Sequence, residues 1–179
     1  MRNEASNAKR IINEVLDEVM EERYCEIILV DSDSSDMTVD IAEQTFTDSH
    51  LNKNRWRIIK ADKPGKSHAV NLALRTIESD VIIMIDADVT LQAGWLKKFQ
   101  ISMSDKKMGV VSGIEIKSSH DSLGPRQYYR SFSNKIRSWE SSHDTTPILE
   151  GGLICWKKSA LEDFLLDEDL NADDAQIAF

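Results

Sequence analysis

Cysteine is scarce in this 179-residue chain: Cys25 and Cys155 are the only two, far apart and without C-x-x-C spacing. That excludes a zinc cluster or a disulfide framework and leaves two free buried thiols in a reducing compartment as the expectation. Long apolar runs are lacking as well. The longest, Val81–Ile85 and Ile27–Val30, fall far short of the ~18 residues that a bilayer span needs. The basic and then apolar pattern of a secretory leader is missing from the first residues. Positive charge is in deficit, with 22 Lys and Arg against 31 Asp and Glu and a formal net charge of −9. Such a surface disfavours nucleic acid and anionic membrane as partners, and any anionic substrate then needs a local cation. The expected location is cytoplasmic, at the cytoplasmic face of the membrane should the full-length protein carry membrane segments. No internal repeat, low-complexity tract or linker divides the chain.

What is present is the balance of a globular α/β domain, 41% hydrophobic and 30% charged. Ile11, Ile12, Val15, Leu16, Val19 and Met20 mark one face of a helix over roughly 6–21. Glu26–Val30 reads as a short buried strand, followed by Ser34, Ser35 and Asp36 as N-cap side chains for a helix to about Phe46. Trp56–Lys60 is a second strand. Lys63-Pro64-Gly65-Lys66 is a turn, and a helix with Ala69, Val70, Ala73, Leu74 and Ile77 on one face follows it. Val81–Ile85 is the clearest strand. The pattern then predicts a helix over Gln92–Met103, a strand over Gly109–Ile116 and a helix over 122–140. A strand over Glu150–Trp156, a short helix or turn over Lys157–Phe164 and a helix opening at Asp173 complete it. Alternating strands and helices imply a mostly parallel sheet covered on both faces.

Two strands end in acids, Asp31-Ser32-Asp33 and Asp86-Ala87-Asp88. Parallel strands bring such ends to one edge, where ligands of open α/β sheets bind. Clustered carboxylates repel, so a divalent cation is a natural neutraliser, and hard oxygen ligands suit Mg²⁺ or Mn²⁺ bridging a diphosphate. Alternate residues of a strand point oppositely, so Asp86 and Asp88 can face one ion only if the chain turns there. His120 and His143 are further candidate ligands, although surface loop histidines are the simpler reading.

In order, the chain carries Asn3-Glu4, an amphipathic helix, EIILVDSDSSDMT (26–38), KPGKSHAVNLAL (63–74), DVIIMIDADV (80–89), EGG (150–152) and ADDAQIAF (172–179). This series resembles the family 2 glycosyltransferases, and the resemblance covers nearly the whole chain. It implies a GT-A fold, a Rossmann-like three-layer sandwich, as a single partial domain with a nucleotide-sugar-binding part over about 1–115 and an acceptor-side part over about 116–179. It also implies a sugar transfer from a UDP-, GDP- or dTDP-sugar to a hydroxyl of a glycan, lipid or small-molecule acceptor, metal-dependent and inverting, with Mg²⁺ or Mn²⁺. By that likeness Asp88 binds the metal directly, and Asp86 binds the ribose or the metal through water. Asn3, Glu4, Asp31, Ser32 and Lys66 line the nucleotide. Glu150, Gly151 and Gly152 form a tight turn under the donor sugar, and Asp174 is the general base.

The sequence departs from the family pattern in three places. The family's opening strand, which ends in a Pro-containing loop before N-E, has no counterpart, so the sheet is expected to lack its first strand and to leave neighbouring strands with unpaired backbone. The usual D-D-G-S reads Asp31-Ser32-Asp33-Ser34. The chain stops at Phe179, directly after the expected base. Two other readings stand beside the transferase. One is a non-catalytic fragment or remnant that depends on a partner to supply the strand. The other is a receiver-like phosphoacceptor domain, which also places acids after apolar strands but lacks a place for the first helix.

Overall fold

The computed structural model describes residues 1–114, 149, 151–161, 164–170 and 173–178. The helix expected over 122–140, together with His120, His143 and Glu150, lies outside them. The first helix, α1 (Ala5–Val19), buries Ala8, Ile11, Ile12, Leu16 and Val19, the stripe that the spacing predicts. Its last carbonyls are satisfied from a distance. The Arg55 guanidinium donates to Val19 O at 2.8 Å, Met20 O at 3.3 Å and Cys25 O at 3.1 Å, so one side chain closes the helix end and fixes the following turn. The next elements are β1 (Ile27–Asp31), α2 (Thr38–Asp48) and β2 (Trp56–Lys60). Of the three expected caps, Asp36 serves. Its carboxylate accepts from Thr38 N at 3.0 Å and from Ala5 N at 3.2 Å, anchoring the starts of α2 and α1 together. The Thr38 hydroxyl beside it holds the Asp36 carboxyl below the usual range.

The remaining elements are α3 (Lys66–Leu74), β3 (Val81–Ile85), α4 (Trp95–Ser104), β4 (Val110–Ser112), β5 (Leu153–Lys157) and α5 (Asp173–Ala178). A single 3-10 turn over Lys158–Ala160 stands where a short helix or turn was expected. β1 pairs with β2 in parallel, and β5 lies between β3 and β4, antiparallel to both. The carboxyl ends of β1 and β3 lie together, because Ser32 bonds Gly65 and the adjoining Lys66 pairs with Asp86. Four strands therefore point one way and β5 alone runs against them. The mostly parallel sense that the alternation predicts holds, while the described pairings are one parallel and two antiparallel.

Alternation along the strands builds a layer on each face. Ile12, Leu16, Leu29, Ala42, Phe46 and Trp56 form one core between α1, α2 and the first sheet, with Phe46 stacked on Trp56 at 4.8 Å between centroids. Val19, Trp95, Phe99 and Cys155 continue that face against Ile83 and Ile85. On the other face, Ile82, Ile154, Trp156, Leu166 and Ile177 pack with Val70 and Leu74 of α3. Burial of Cys155 pushes its thiol up to about 12, while Cys25 is half-buried, and both are free. Among the described residues no helix is long and apolar enough to cross a membrane.

Candidate active site

The carboxyl ends of β1 and β3 open into a cleft of about 520 Å³ whose mouth is formed by Arg2, Glu4, Ser32, Lys66, Asp86 and Asp88. Each reaches it for a local reason. After Ile85 the chain leaves the sheet in a turn at Ala87-Asp88, the reversal required for two alternate carboxylates to share a side. Asp88 is exposed on that turn, and Asp86 Oδ2 accepts from Lys66 Nζ at 2.8 Å. Lys66 starts α3, directly after Gly65, whose φ of +149° lies where a side chain is strained.

Ser32 explains part of the departure from D-D-G-S. Its hydroxyl accepts from Gly65 N at 2.9 Å and donates to Gly65 O at 3.2 Å. A carboxylate there could take the first bond but would face the carbonyl with no proton to give, so serine locks the turn before Lys66 where an acid would not. Asp31 is buried, 4% exposed, and is not among the residues that line the cleft. Its Oδ2 accepts from Ser34 N at 3.3 Å, whereas Oδ1 is buried without a hydrogen-bond partner among the described residues. An unmet buried acceptor of this kind costs about 1–3 kcal/mol unless a donor arrives.

Asn3 is engaged elsewhere. With φ of +53° it turns the chain, and its Oδ1 accepts from Ser35 N at 2.9 Å, tying the first residues to the loop after β1. Glu4 lines the cleft and its Oε2 accepts from Asn7 Nδ2 at 2.8 Å. Gly152 is behind the acid turn. Its carbonyl accepts from Asp86 N at 2.9 Å, and a Cβ on it would meet Val89 Cγ1 at 2.6 Å. Gly151 is half-buried in the same turn before β5. Asp174 is on α5, which packs through Ile177 onto the α3 side of the sheet, the side on which the cleft opens.

Three residues that spacing alone did not single out support this arrangement. Arg10, from α1, donates to Val89 O at 2.7 Å, Ala87 O at 3.3 Å and Thr90 Oγ1 at 3.3 Å, gripping the acid turn from behind. Asn71 is 2% exposed and ties α3 to the segment that leads into α5. Arg2 brings a second cation to the cleft. Asn71 ends the K-S-H-A-V-N stretch and was visible as part of a motif, whereas Arg10 carried no local signal, since its partners are some 80 residues away.

Among the described residues no group of three or more His, Cys, Asp or Glu stands in metal-holding geometry. Mg²⁺ and Mn²⁺ are commonly held by one or two carboxylates with substrate phosphates completing the shell, and Asp86 with exposed Asp88 fits that pattern.

The layered α/β sheet with acids at the carboxyl ends of its strands is a GT-A fold, and solved structures agree. Over 99% of its length the chain resembles the mannosyltransferase PcManGT of Pyrobaculum calidifontis, solved with GDP-Man and Mn²⁺, at 24% identity, a TM-score of 0.79 and 48% of that chain covered. It resembles S. aureus TarS 1-349 at 17% identity and a TM-score of 0.70, over 99% of this chain and 51% of that one. M. tuberculosis glucosyl-3-phosphoglycerate synthase follows at 16% identity and 0.61, over 90% of this chain and 56% of that one. The chain thus spans about half the length of these solved chains. It belongs to glycosyl transferase family 2, whose pattern it matches over residues 1–165. No curated protein matches it. Family membership leaves the receiver-like reading without support.

Proposed function

We propose that this chain forms the donor-binding part of a metal-dependent, inverting sugar transferase. The observation that carries the reading is the convergence of Glu4, Ser32, Lys66, Asp86 and Asp88 on one cleft at the carboxyl ends of β1 and β3. Asp88 and Asp86 hold a divalent cation, Mg²⁺ or Mn²⁺. When bound, it supplies the charge neutralisation that a departing nucleoside diphosphate needs. Lys66 and Arg2 add the fixed positive charge that an acidic chain otherwise lacks for a pyrophosphate. Asp31, whose Oδ1 has no hydrogen-bond partner among the described residues, offers an acceptor for an N–H of the donor base. Gly152 lets the backbone of β5 approach the turn closely, and Asp174 removes the proton of the acceptor hydroxyl.

The donor is a nucleotide-diphospho-sugar, and related folds are solved with GDP-Man and with UDP-GlcNAc. Residues 1–115 serve the nucleotide and 116–179 the acceptor side. Calorimetry with GDP and UDP, with and without Mn²⁺, tests the reading. Metal-dependent binding at one site, abolished by Asp88→Ala and retained by Asp174→Asn, is the expected result. Binding that ignores both the metal and Asp88 refutes it. If transfer is measurable, Asp174→Asn removes it while sparing donor binding.

A further inference from the structure

Two of the groups that meet in the donor cleft hold each other. Lys66 Nζ donates to Asp86 Oδ2 at 2.8 Å, with the two side chains 44% and 29% exposed. One carboxylate therefore has two cations to serve, the Lys66 ammonium and a divalent ion shared with the exposed Asp88. They do not add freely. A carboxylate oxygen on Mg²⁺ lies at about 2.0–2.1 Å, so an ammonium still bonded to the same carboxylate stands only a few ångströms from the ion. Like charges at that range repel strongly unless water screens them.

The surrounding bonds decide which partner moves. The main chain of the acid turn is held on two sides. Asp86 N donates to Gly152 O at 2.9 Å, and Arg10 donates to Val89 O at 2.7 Å and Ala87 O at 3.3 Å. The main chain before Lys66 is held as well. Gly65 N and O both bond the Ser32 hydroxyl, and Gly65 O also accepts from Ala69 N at 3.0 Å in the first turn of α3. With both backbones anchored, the pair opens by rotation of the lysine side chain, a compact ammonium on a flexible alkyl stem. A diphosphate in the same cleft offers that ammonium a second set of anionic oxygens.

We propose that Lys66 is an exchange cation that makes metal and nucleoside diphosphate bind cooperatively. It balances Asp86 until a diphosphate enters, then moves to the phosphate oxygens and leaves the carboxylate to the divalent ion. Each ligand thereby removes the other's competitor: the diphosphate draws the ammonium off Asp86, and the metal draws Asp86 off the ammonium. Such coupling is reciprocal, so metal raises diphosphate affinity by the factor by which diphosphate raises metal affinity. The inference rests on the donor-binding reading and deepens it, by assigning to one ion pair the order in which that site fills.

The test is Mn²⁺ affinity without nucleotide, read from the loss of the free-ion EPR signal, in the wild type, Lys66→Met and Lys66→Arg. Calorimetric titration with UDP and GDP at saturating Mn²⁺ follows. Lys66→Met should bind Mn²⁺ alone roughly tenfold more tightly than the wild type, and the diphosphate more weakly. The two affinities thus shift in opposite directions, whereas Lys66→Arg keeps the charge and stays near the wild type for Mn²⁺. A lysine that only orients Asp86 or supports the fold gives weaker Mn²⁺ binding in Lys66→Met, and one that serves the phosphates alone leaves it unchanged. Either result overturns the proposal, as does absence of Mn²⁺ binding in Lys66→Met. Asp88→Ala separates this failure from that of the parent reading. Mn²⁺ binding that is lost in Asp88→Ala but equal in the wild type and Lys66→Met refutes the exchange alone. Mn²⁺ binding indifferent to Asp88 refutes the donor site and the exchange together.

Discussion

Asn71 and Leu166 are joined by two reciprocal hydrogen bonds, Asn71 Nδ2 to Leu166 O and Leu166 N to Asn71 Oδ1, both 2.8 Å. A side-chain amide thus stands in for a strand partner, inside the core and between segments 95 residues apart. The next residue continues the chain of support, since Gln176 Oε1 of α5 accepts from Asp167 N at 2.6 Å. Asn71 therefore positions the helix that carries Asp174. Asn71→Ala leaves a buried N–H and a buried C=O unpaired and should cost about 1–3 kcal/mol in urea unfolding. Asn71→Asp keeps the acceptor but sets a buried carboxylate against Leu166 O and Glu168, so near neutral pH it should cost at least as much as Asn71→Ala. Equal stability of Asn71→Ala and the wild type contradicts this role.

Gly152 is required for want of space. With Val89 Cγ1 at 2.6 Å from a Cβ built there, Gly152→Ala must displace the turn that bears Asp86 and Asp88. Overpacking of this kind costs about 1–3 kcal/mol. The variant should lose stability and Mn²⁺-dependent nucleotide binding together. Adding Val89→Ala should restore both, and a double-mutant cycle without that coupling argues against the contact.

Arg10 acts on the same turn from the opposite side. Arg10→Met removes its bonds to Ala87 O, Val89 O and Thr90 Oγ1. Metal-dependent nucleotide binding should weaken by roughly 10-fold, in the range of outer-shell losses, with partial recovery in Arg10→Lys. The loss should be in metal affinity, read by Mn²⁺ titration, more than in the fold.

The turn before α3 carries a titratable network. His68 Nδ1 lies 3.0 Å from Glu168 Oε1, His68 Nε2 lies 2.7 Å from Asp62 Oδ1, and Lys63 Nζ is 2.8 Å from Glu168 Oε2. Hydrogen bonds to Glu168 and then Asp62 raise the His68 pKa above 6.5, while Lys63 first and His68 next hold Glu168 down to about 2. The His68 contribution is complete below 6.5 and fades as pH rises through its higher folded value. The Glu168 contribution is complete above 4.5 and is lost as pH falls through about 2. Urea midpoints should therefore fall as pH is raised from about 5.5 to about 9, and fall less in His68→Gln. An NMR titration placing His68 at or below 6.5 contradicts the network.

Much of the frame was legible in the residues. The stripe of α1, the apolar runs of β1 and β3 and the Pro-Gly turn are local signals, and α1, β1 and β3 formed within a few residues of their expected bounds. The D-x-D turn was legible because five apolar residues in a row must end at a sheet edge. The grip of Arg10, the lock of Ser32 on Gly65 and the Asn71–Leu166 pair were not, because each is a contact between chain segments with no periodicity to announce it.

The sequence by itself determined the order of strands and helices and the placing of acids at strand ends, because hydrophobic period and turn chemistry act over a few residues. Only the tertiary structure decided that β5 runs against its neighbours, that Ser32 serves the turn, and that β1 and β3 do not pair with each other among the described residues. Those outcomes depend on which backbone groups find partners across the sheet, and hydrogen-bond pairing between distant segments is settled only when the chain is folded.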